Sequence, residues 1–311
     1  MREARRRRPR RLATAIALVL GPVLPLVLGG CLTDAPTPVP DATASVAPEP
    51  TPIVTDYRLD RTIWYGGFVL TFQTATASID AKGGPVAVTL LLGNPGDDEA
   101  SMDGPIALVA GDVAVEPTRD SVLPLVPGHT HETVTLVFDV DAAFDVAAAA
   151  IRVGRAEEHQ AIVPLVGAAK AAVTLAPRYV DLGVTGQAGS LAIALQRVEL
   201  RADLPDWRQQ LAAGILAMTL TYDARYTADF SGGFPFTAAN VSLRLPDGTL
   251  VEPRRDGHSQ SVMVIAAGAS APGLESRFEV PAPGPGTYAL IIRDGEATAE
   301  LAFEILAPPG A

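Results

Sequence analysis

The sequence has one cysteine, Cys31, in 311 residues. It can form no intramolecular disulfide, so its domains must be stable through their cores alone. Lysine is nearly missing, with Lys82 and Lys170 the only two, and aromatic residues make up 5% of the chain. Only four histidines are present: His129, His131, His159 and His258. Gly-x-Ser-x-Gly, His-Glu-x-x-His and a phosphate-binding glycine loop are all absent. These absences remove the sequence signatures of a serine hydrolase, a zincin and a P-loop nucleotide enzyme. Long helical patterns are missing too, which argues against the α/β lobes of a transporter's substrate-binding protein. No cofactor is expected.

Basic charge is scarce and unevenly placed. Residues 1–11, MREARRRRPRR, hold seven arginines; without them the chain has 17 basic against 34 acidic residues, a net charge of −17. So acidic a chain is a poor partner for nucleic acid or for anionic lipid surfaces. Apolar residues reach 48%, ample for buried cores, and the length suits two domains.

After the arginines, Leu12 to Gly30 is an apolar run interrupted by Pro22 and Pro25. A basic start, an apolar middle and small residues at the end describe a secretory signal over 1–30. The prolines and the short length disfavour a permanent spanning helix. Leu28-Gly29-Gly30-Cys31 resembles the lipobox of bacterial lipoproteins, with glycine at the position where alanine or serine is commoner. The resemblance implies a diacylglycerol on the Cys31 thiol, cleavage before it, and a lipid anchor on the extracytoplasmic face of the cell membrane. An uncleaved anchor and ordinary secretion are the alternatives. Residues 31–56 then carry Pro36, Pro38, Pro40, Pro48, Pro50 and Pro52, a density that favours an extended tether.

The remainder reads as one module written twice. At an offset of 123, Leu59, Gly66, Gln73 and Asp80 meet Leu182, Gly189, Gln196 and Asp203, and Phe68, Leu70 and Phe72 meet Leu191, Ile193 and Leu195. Val115-Glu116-Pro117 recurs as Val251-Glu252-Pro253, and Phe138 as Phe278. Ile151-Arg152-Val153-Gly154 recurs as Ile292-Arg293-Asp294-Gly295. Alternation such as Val134, Leu136, Phe138, Val140 marks half-buried strands. The expected fold is all-β, two tandem immunoglobulin-like sandwiches over 57–166 and 177–307. Tyr288, after Pro285-Gly286-Thr287, predicts a tyrosine corner in the second copy, with Ala147 near that position in the first. A short helix is predicted over Asp206–Ala213, capped by Asp206.

With the lipobox and tether, Leu125-Val126-Pro127-Gly128 followed by Leu136-Val137-Phe138-Asp139-Val140 resembles the extracellular immunoglobulin-like modules of Gram-positive lipoproteins of the immunoprotective-antigen type. The resemblance implies fold and compartment only; that family carries over no catalytic residue.

Candidate sites are few. His129 and His131 are spaced to share a strand face and a metal, but Pro127-Gly128 makes a turn there, so exposed loop histidines are the plainer reading. Asp139, Asp141 and Asp145 suggest calcium, but alternation turns the first two to water on a straight strand. In Val-Glu-Pro-x-Arg-Asp, a strand end and a local Arg–Asp pair compete with a recognition pair. Tyr222, Tyr226, Phe230, Phe234 and Phe236 concentrate the scarce aromatics in the second repeat, either as ligand contacts on a loop or as a plug for the end of the sandwich. The function expected is a non-enzymatic binding or structural lipoprotein with a membrane anchor and a protein or cell-wall partner. A cell-wall-directed hydrolase using paired carboxylates is the alternative.

Overall fold

The computed structural model describes residues 51–167, 172–255, 263–281 and 283–306. The signal segment 1–30, Cys31, most of the tether and His258 lie outside the described residues. The described chain is all-β. The first repeat contains β1 (Ile53–Tyr65), β2 (Phe68–Ile79), β3 (Gly84–Asn94), β4 (Ile106–Ala110), β5 (Val113–Val115), β6 (Thr130–Val140), β7 (Ala150–Val153) and β8 (Ala161–Pro164). The second contains β9 (Arg178–Ala188), β10 (Leu191–Arg201), β11 (Asp203–Leu204), β12 (Gln209–Gln210), β13 (Ile215–Tyr226) and β14 (Phe234–Phe236). It continues with β15 (Val241–Arg244), β16 (Leu250–Val251), β17 (Met263–Ile265), β18 (Ser270–Pro281), β19 (Gly286–Asp294) and β20 (Ala297–Ile305).

Four antiparallel sheets carry the fold. The first repeat has sheets β1-β2-β3-β6 and β5-β4-β7-β8; the second has β9-β10-β13-β18 and β16-β15-β19-β20. The orders correspond strand for strand. Each is an immunoglobulin-like sandwich with an additional first strand along one edge. Inward residues alternate as the pattern requires: Val134, Leu136, Phe138 and Val140 are buried on β6. On β2 the buried set runs Phe68, Leu70, Phe72, then Ala75 and Ala77; on β10 it runs Leu191, Ile193, Leu195, then Val198 and Leu200. The break in parity is a β-bulge at Gln73 and at Gln196, in the same place in both copies. One extra residue there keeps the rest of the strand facing the core.

The pairing also fixes which residues correspond. Leu90 lies opposite Phe72, and Tyr222 opposite Leu195; Val86 lies opposite Phe138, and Met218 opposite Phe278. Phe138 and Phe278 therefore occupy one position, and both are fully buried. Backbone bonds repeat as well: Thr118 N–H donates to Val137 O and Arg254 N–H to Arg277 O, each at 2.7 Å. That bond, anchoring the chain after the edge strand onto the opposite sheet, is the structure shared by the two Val-Glu-Pro segments. The tyrosine corner forms in the second repeat, where Tyr288 donates to Gly284 O at 3.1 Å.

Four local expectations are corrected. Pairing of β1 with β2 begins at Ile53, so the tether ends earlier than Asp56. In the third strand pair, Val153 lies opposite Ile106 and Ile292 opposite Val241, so Val153, not Ile151, matches Ile292. The same register puts Ala149, not Ala147, at the tyrosine-corner position. The helix over Asp206–Ala213 does not form: a 3-10 turn at Pro205–Trp207 ends at Arg208, whose φ is +51°, and β11 and β12 pair around it. A left-handed residue after one turn stops any helix, and the tertiary contacts of this hairpin outweigh its local propensity.

That hairpin joins the repeats. Between β10 and β13 the second copy is nine residues longer than the first, because the offset rises from 123 at Phe72/Leu195 to 132 at Leu90/Tyr222. The added chain is a socket for the β1–β2 turn. Gly66 N–H donates to Gln210 Oε1 at 2.9 Å and Gly67 N–H to Asp203 Oδ2 at 2.8 Å. The Arg201 guanidinium holds the buried Asp203 carboxylate at 2.8 Å. Arg208 reaches back over the Phe68 ring, 5.3 Å from its centroid, and donates to Asp98 O at 2.9 Å and to Asn94 Oδ1 at 3.3 Å. Beside these, Tyr65 donates to Glu158 Oε2 at 2.6 Å and Gln210 Nε2 to His159 O at 3.1 Å. Burial, with Glu158 next to it, pushes the Tyr65 phenol far above its ordinary pKa. Val173 and Thr174 pair back onto Ile162 and Trp64, so the junction is tied down on the first sandwich before β9 begins.

Candidate functional site

The long connections of the second repeat build a groove. Tyr222 lies late on β13, and the chain then turns through Phe230 and Gly233 into β14, which pairs with β17. Gly233 has φ +71°, and a Cβ there would stand 2.6 Å from Ile265 O, so only glycine permits this approach. The five aromatics separate by role. Tyr222, Tyr226 and Phe236 are buried, Phe234 is half-buried against the same core, and only Phe230, at 64%, is exposed. Their rings contact in sequence: Tyr226 with Phe234 at 5.8 Å, Phe234 with Phe236 at 6.4 Å and Phe236 with Tyr222 at 6.2 Å. Tilted rings at these separations are favourable packing.

Two of the five, Tyr222 and Phe236, also line a cavity of about 500 Å³, together with Met263, Leu274, Glu275 and Ser276. Tyr226 and Phe234 serve the core instead. At the back wall the Tyr222 and Ser276 hydroxyls bond at 2.8 Å. Burial pushes the Tyr222 phenol up to about 12, a shift partly relieved by the Ser276 bond. Glu275 is the one charged residue in the lining among the described residues. The signal for this site in the sequence was the aromatic cluster; Ser276, Glu275 and Met263 carried none, because the bulge between Tyr222 and Ala224 decides which β18 residues reach the groove.

A second cavity, about 570 Å³, lies where the repeats meet, between Asp97, Asp98 and Glu99 of the first and Arg201, Asp206 and Arg208 of the second. It was not legible in the sequence, since its walls come from residues a hundred positions apart. Its loop carboxylates are exposed.

The remaining candidates are placed as follows. His129 bonds Asp97 Oδ1 at 2.8 Å on an exposed surface, and His131 is exposed on β6. Asp139 is exposed, Asp141 accepts from Ala143 N–H, and Asp145 accepts from Ala147 and Ala148 N–H as a cap. Among the described residues no three His, Cys, Asp or Glu side chains converge on a metal position, and no helix is long and apolar enough to cross a membrane. Arg119 and Asp120 are exposed, while Arg254 pairs with Glu279 across to β18; Asp256 lies outside the described residues. The chain matches no protein-family model and no curated protein.

Proposed function

We propose that this chain is a lipid-anchored extracytoplasmic protein, without enzymatic activity, that presents two firmly joined sandwiches and binds a partner or ligand through the second. The observation that carries the reading is the sole cysteine placed directly after Leu28-Gly29-Gly30, behind an arginine-rich start and an apolar run. The groove supports the binding half, because recognition sits on loops held by a rigid scaffold. Anchoring through Cys31 is physically sufficient: each buried CH₂ contributes ~0.8 kcal/mol, so two or more acyl chains hold firmly. The acidic remainder offers no rival attraction to anionic lipid.

The test is metabolic labelling with an alkyne fatty acid, together with detergent phase partitioning. Wild type takes up label and enters the detergent phase, whereas Cys31→Ser takes up none and either appears in the aqueous phase or accumulates uncleaved. Unlabelled wild type, or a serine variant that is cleaved and remains membrane-bound, overturns the proposal.

A further inference from the structure

Because the repeats correspond residue by residue, each wall position of the groove can be compared with its twin. Tyr222 stands where the first repeat has Leu90, and Ser276 where it has Leu136. Both leucines are buried in the first core. The second copy thus carries two hydroxyls, 1% and 4% exposed, where the same fold accommodates two leucines. Burying hydroxyls is costly unless they are hydrogen-bonded, and an apolar pair avoids the cost. The exchange coincides with a change in space. The crevice beside Leu136 is about 300 Å³, and the groove beside Ser276 about 500 Å³. Two hydroxyls hold two donors and four acceptor lone pairs, and their mutual bond uses one of each. A donor and several lone pairs remain for a guest. Tyr222 keeps its proton well into the alkaline range, so it presents a neutral hydroxyl. Phe236, Met263 and Leu274 supply apolar contact, and Glu275, next to Leu274 on the edge strand β18, completes the lining.

We propose that this groove binds a small molecule with an apolar or aromatic body, a hydroxyl at the inner end for the Tyr222–Ser276 pair, and a positively charged outer end beside Glu275. This rests on reading the second sandwich as a binding module and adds the ligand's chemical class. Anionic molecules of the same shape are rejected by Glu275, which has no opposing cation among the described residues of the lining.

The test uses the full chain, isolated in detergent, with ¹³C-methyl methionine as reporter, because Met263 lines the groove while Met102 belongs to the first core. Three probes of one shape are titrated: tyramine, phenethylamine (no hydroxyl) and 4-hydroxyphenylacetate (anionic). Tyramine saturably shifts the Met263 methyl and leaves Met102 in place; the other two bind about tenfold more weakly, the worth of one good hydrogen bond or charge contact. The double variant Tyr222→Leu, Ser276→Leu restores the first repeat's pair and equalises tyramine and phenethylamine. Tyr222→Phe, which removes a single hydroxyl, narrows the same gap should the double variant unfold. If no probe moves Met263, the groove is not a binding site and the binding half of the proposed function falls with it. If phenethylamine or 4-hydroxyphenylacetate binds as tightly as tyramine, the groove stands and the ligand class is wrong.

Discussion

Gly67 is where the joint between the repeats can be tested most directly. Its φ is +81°, and a Cβ added there would meet Pro205 O at 2.9 Å and Pro205 Cα at 3.0 Å, both backbone atoms of the other repeat. Gly66, beside it, has φ +54°, but its Cβ would stand 3.5 Å from Arg208 O, an ordinary contact. Alanine at either position strains the left-handed turn by about 1–2 kcal/mol. Only at Gly67 must the repeats also move apart. That movement stretches the Gly67 N–H bond to the buried Asp203 carboxylate, and a hydrogen bond to a charged group contributes about 1.5–3 kcal/mol. Gly67→Ala should therefore cost about 2–3 kcal/mol more than Gly66→Ala. At ~2–4 °C per kcal/mol for a chain of this size, the gap in Tm is about 5–10 °C. Calorimetry reads the gap, and small-angle scattering should show a broader distance distribution for Gly67→Ala alone. Equal Tm values for the two variants would refute the claim that this contact holds the repeats together.

Two further outcomes follow from the same structure. Phe138→Ala and Phe278→Ala remove the same core position from each sandwich, and each should cost about 3–5 kcal/mol by denaturant unfolding; tolerance at one site alone would break the equivalence. At Glu158, burial works against the charged form. Hydrogen bonds from the Tyr65 hydroxyl and from the Arg155 amide and guanidinium outweigh that effect and hold its pKa below the ordinary glutamate value of 4.5. A depressed carboxylate stabilises the fold above its unfolded pKa and loses that contribution as pH falls through the folded value. Wild type should thus exceed Glu158→Gln in Tm at pH 7, with the difference shrinking below about pH 4.5; a difference independent of pH contradicts the charge-based account.

Much of the fold was legible because strands write their burial into the sequence at period two. Phe68, Leu70 and Phe72 against Leu191, Ile193 and Leu195 gave the repeat, and Gln73 against Gln196 turned out to mark the shared bulge. Identity of letters did not fix register, however. Ile151-Arg152 resembles Ile292-Arg293, yet pairing with β4 and β15 shifts the true match by two residues, a displacement that leaves the inward face unchanged and so leaves no trace in hydrophobic pattern. The segment after Asp206 reads locally as a helix start because its partners, Gly66 and Asn94, are distant in sequence. The groove was half legible for a similar reason. Scarce aromatics drew attention to it, but three of the five rings serve the core or solvent, and the polar wall at Ser276 emerges only when the copies are overlaid.

The second copy is longer chiefly at three connections: by nine residues before β13, by three between β13 and β15, and by four between β16 and β18. Before β13 lie the nine added residues that form the socket; after it lies the connection that carries Phe230, β14 and the groove's Phe236. A strand of 12 residues at ~3.3 Å per residue separates the two additions by more than 30 Å. Lengthening loops at opposite ends of a sandwich leaves its core alternation untouched, which is why Phe138 and Phe278 still coincide. The two ends are still linked through β18, where Arg277, next to Ser276 of the groove, holds Asp206 of the socket at 3.0 Å. Extensions on either side of β13 and between β16 and β18 thus separate one copy that is a plain sandwich from another that grips its twin at one end and opens a polar-backed groove toward the other.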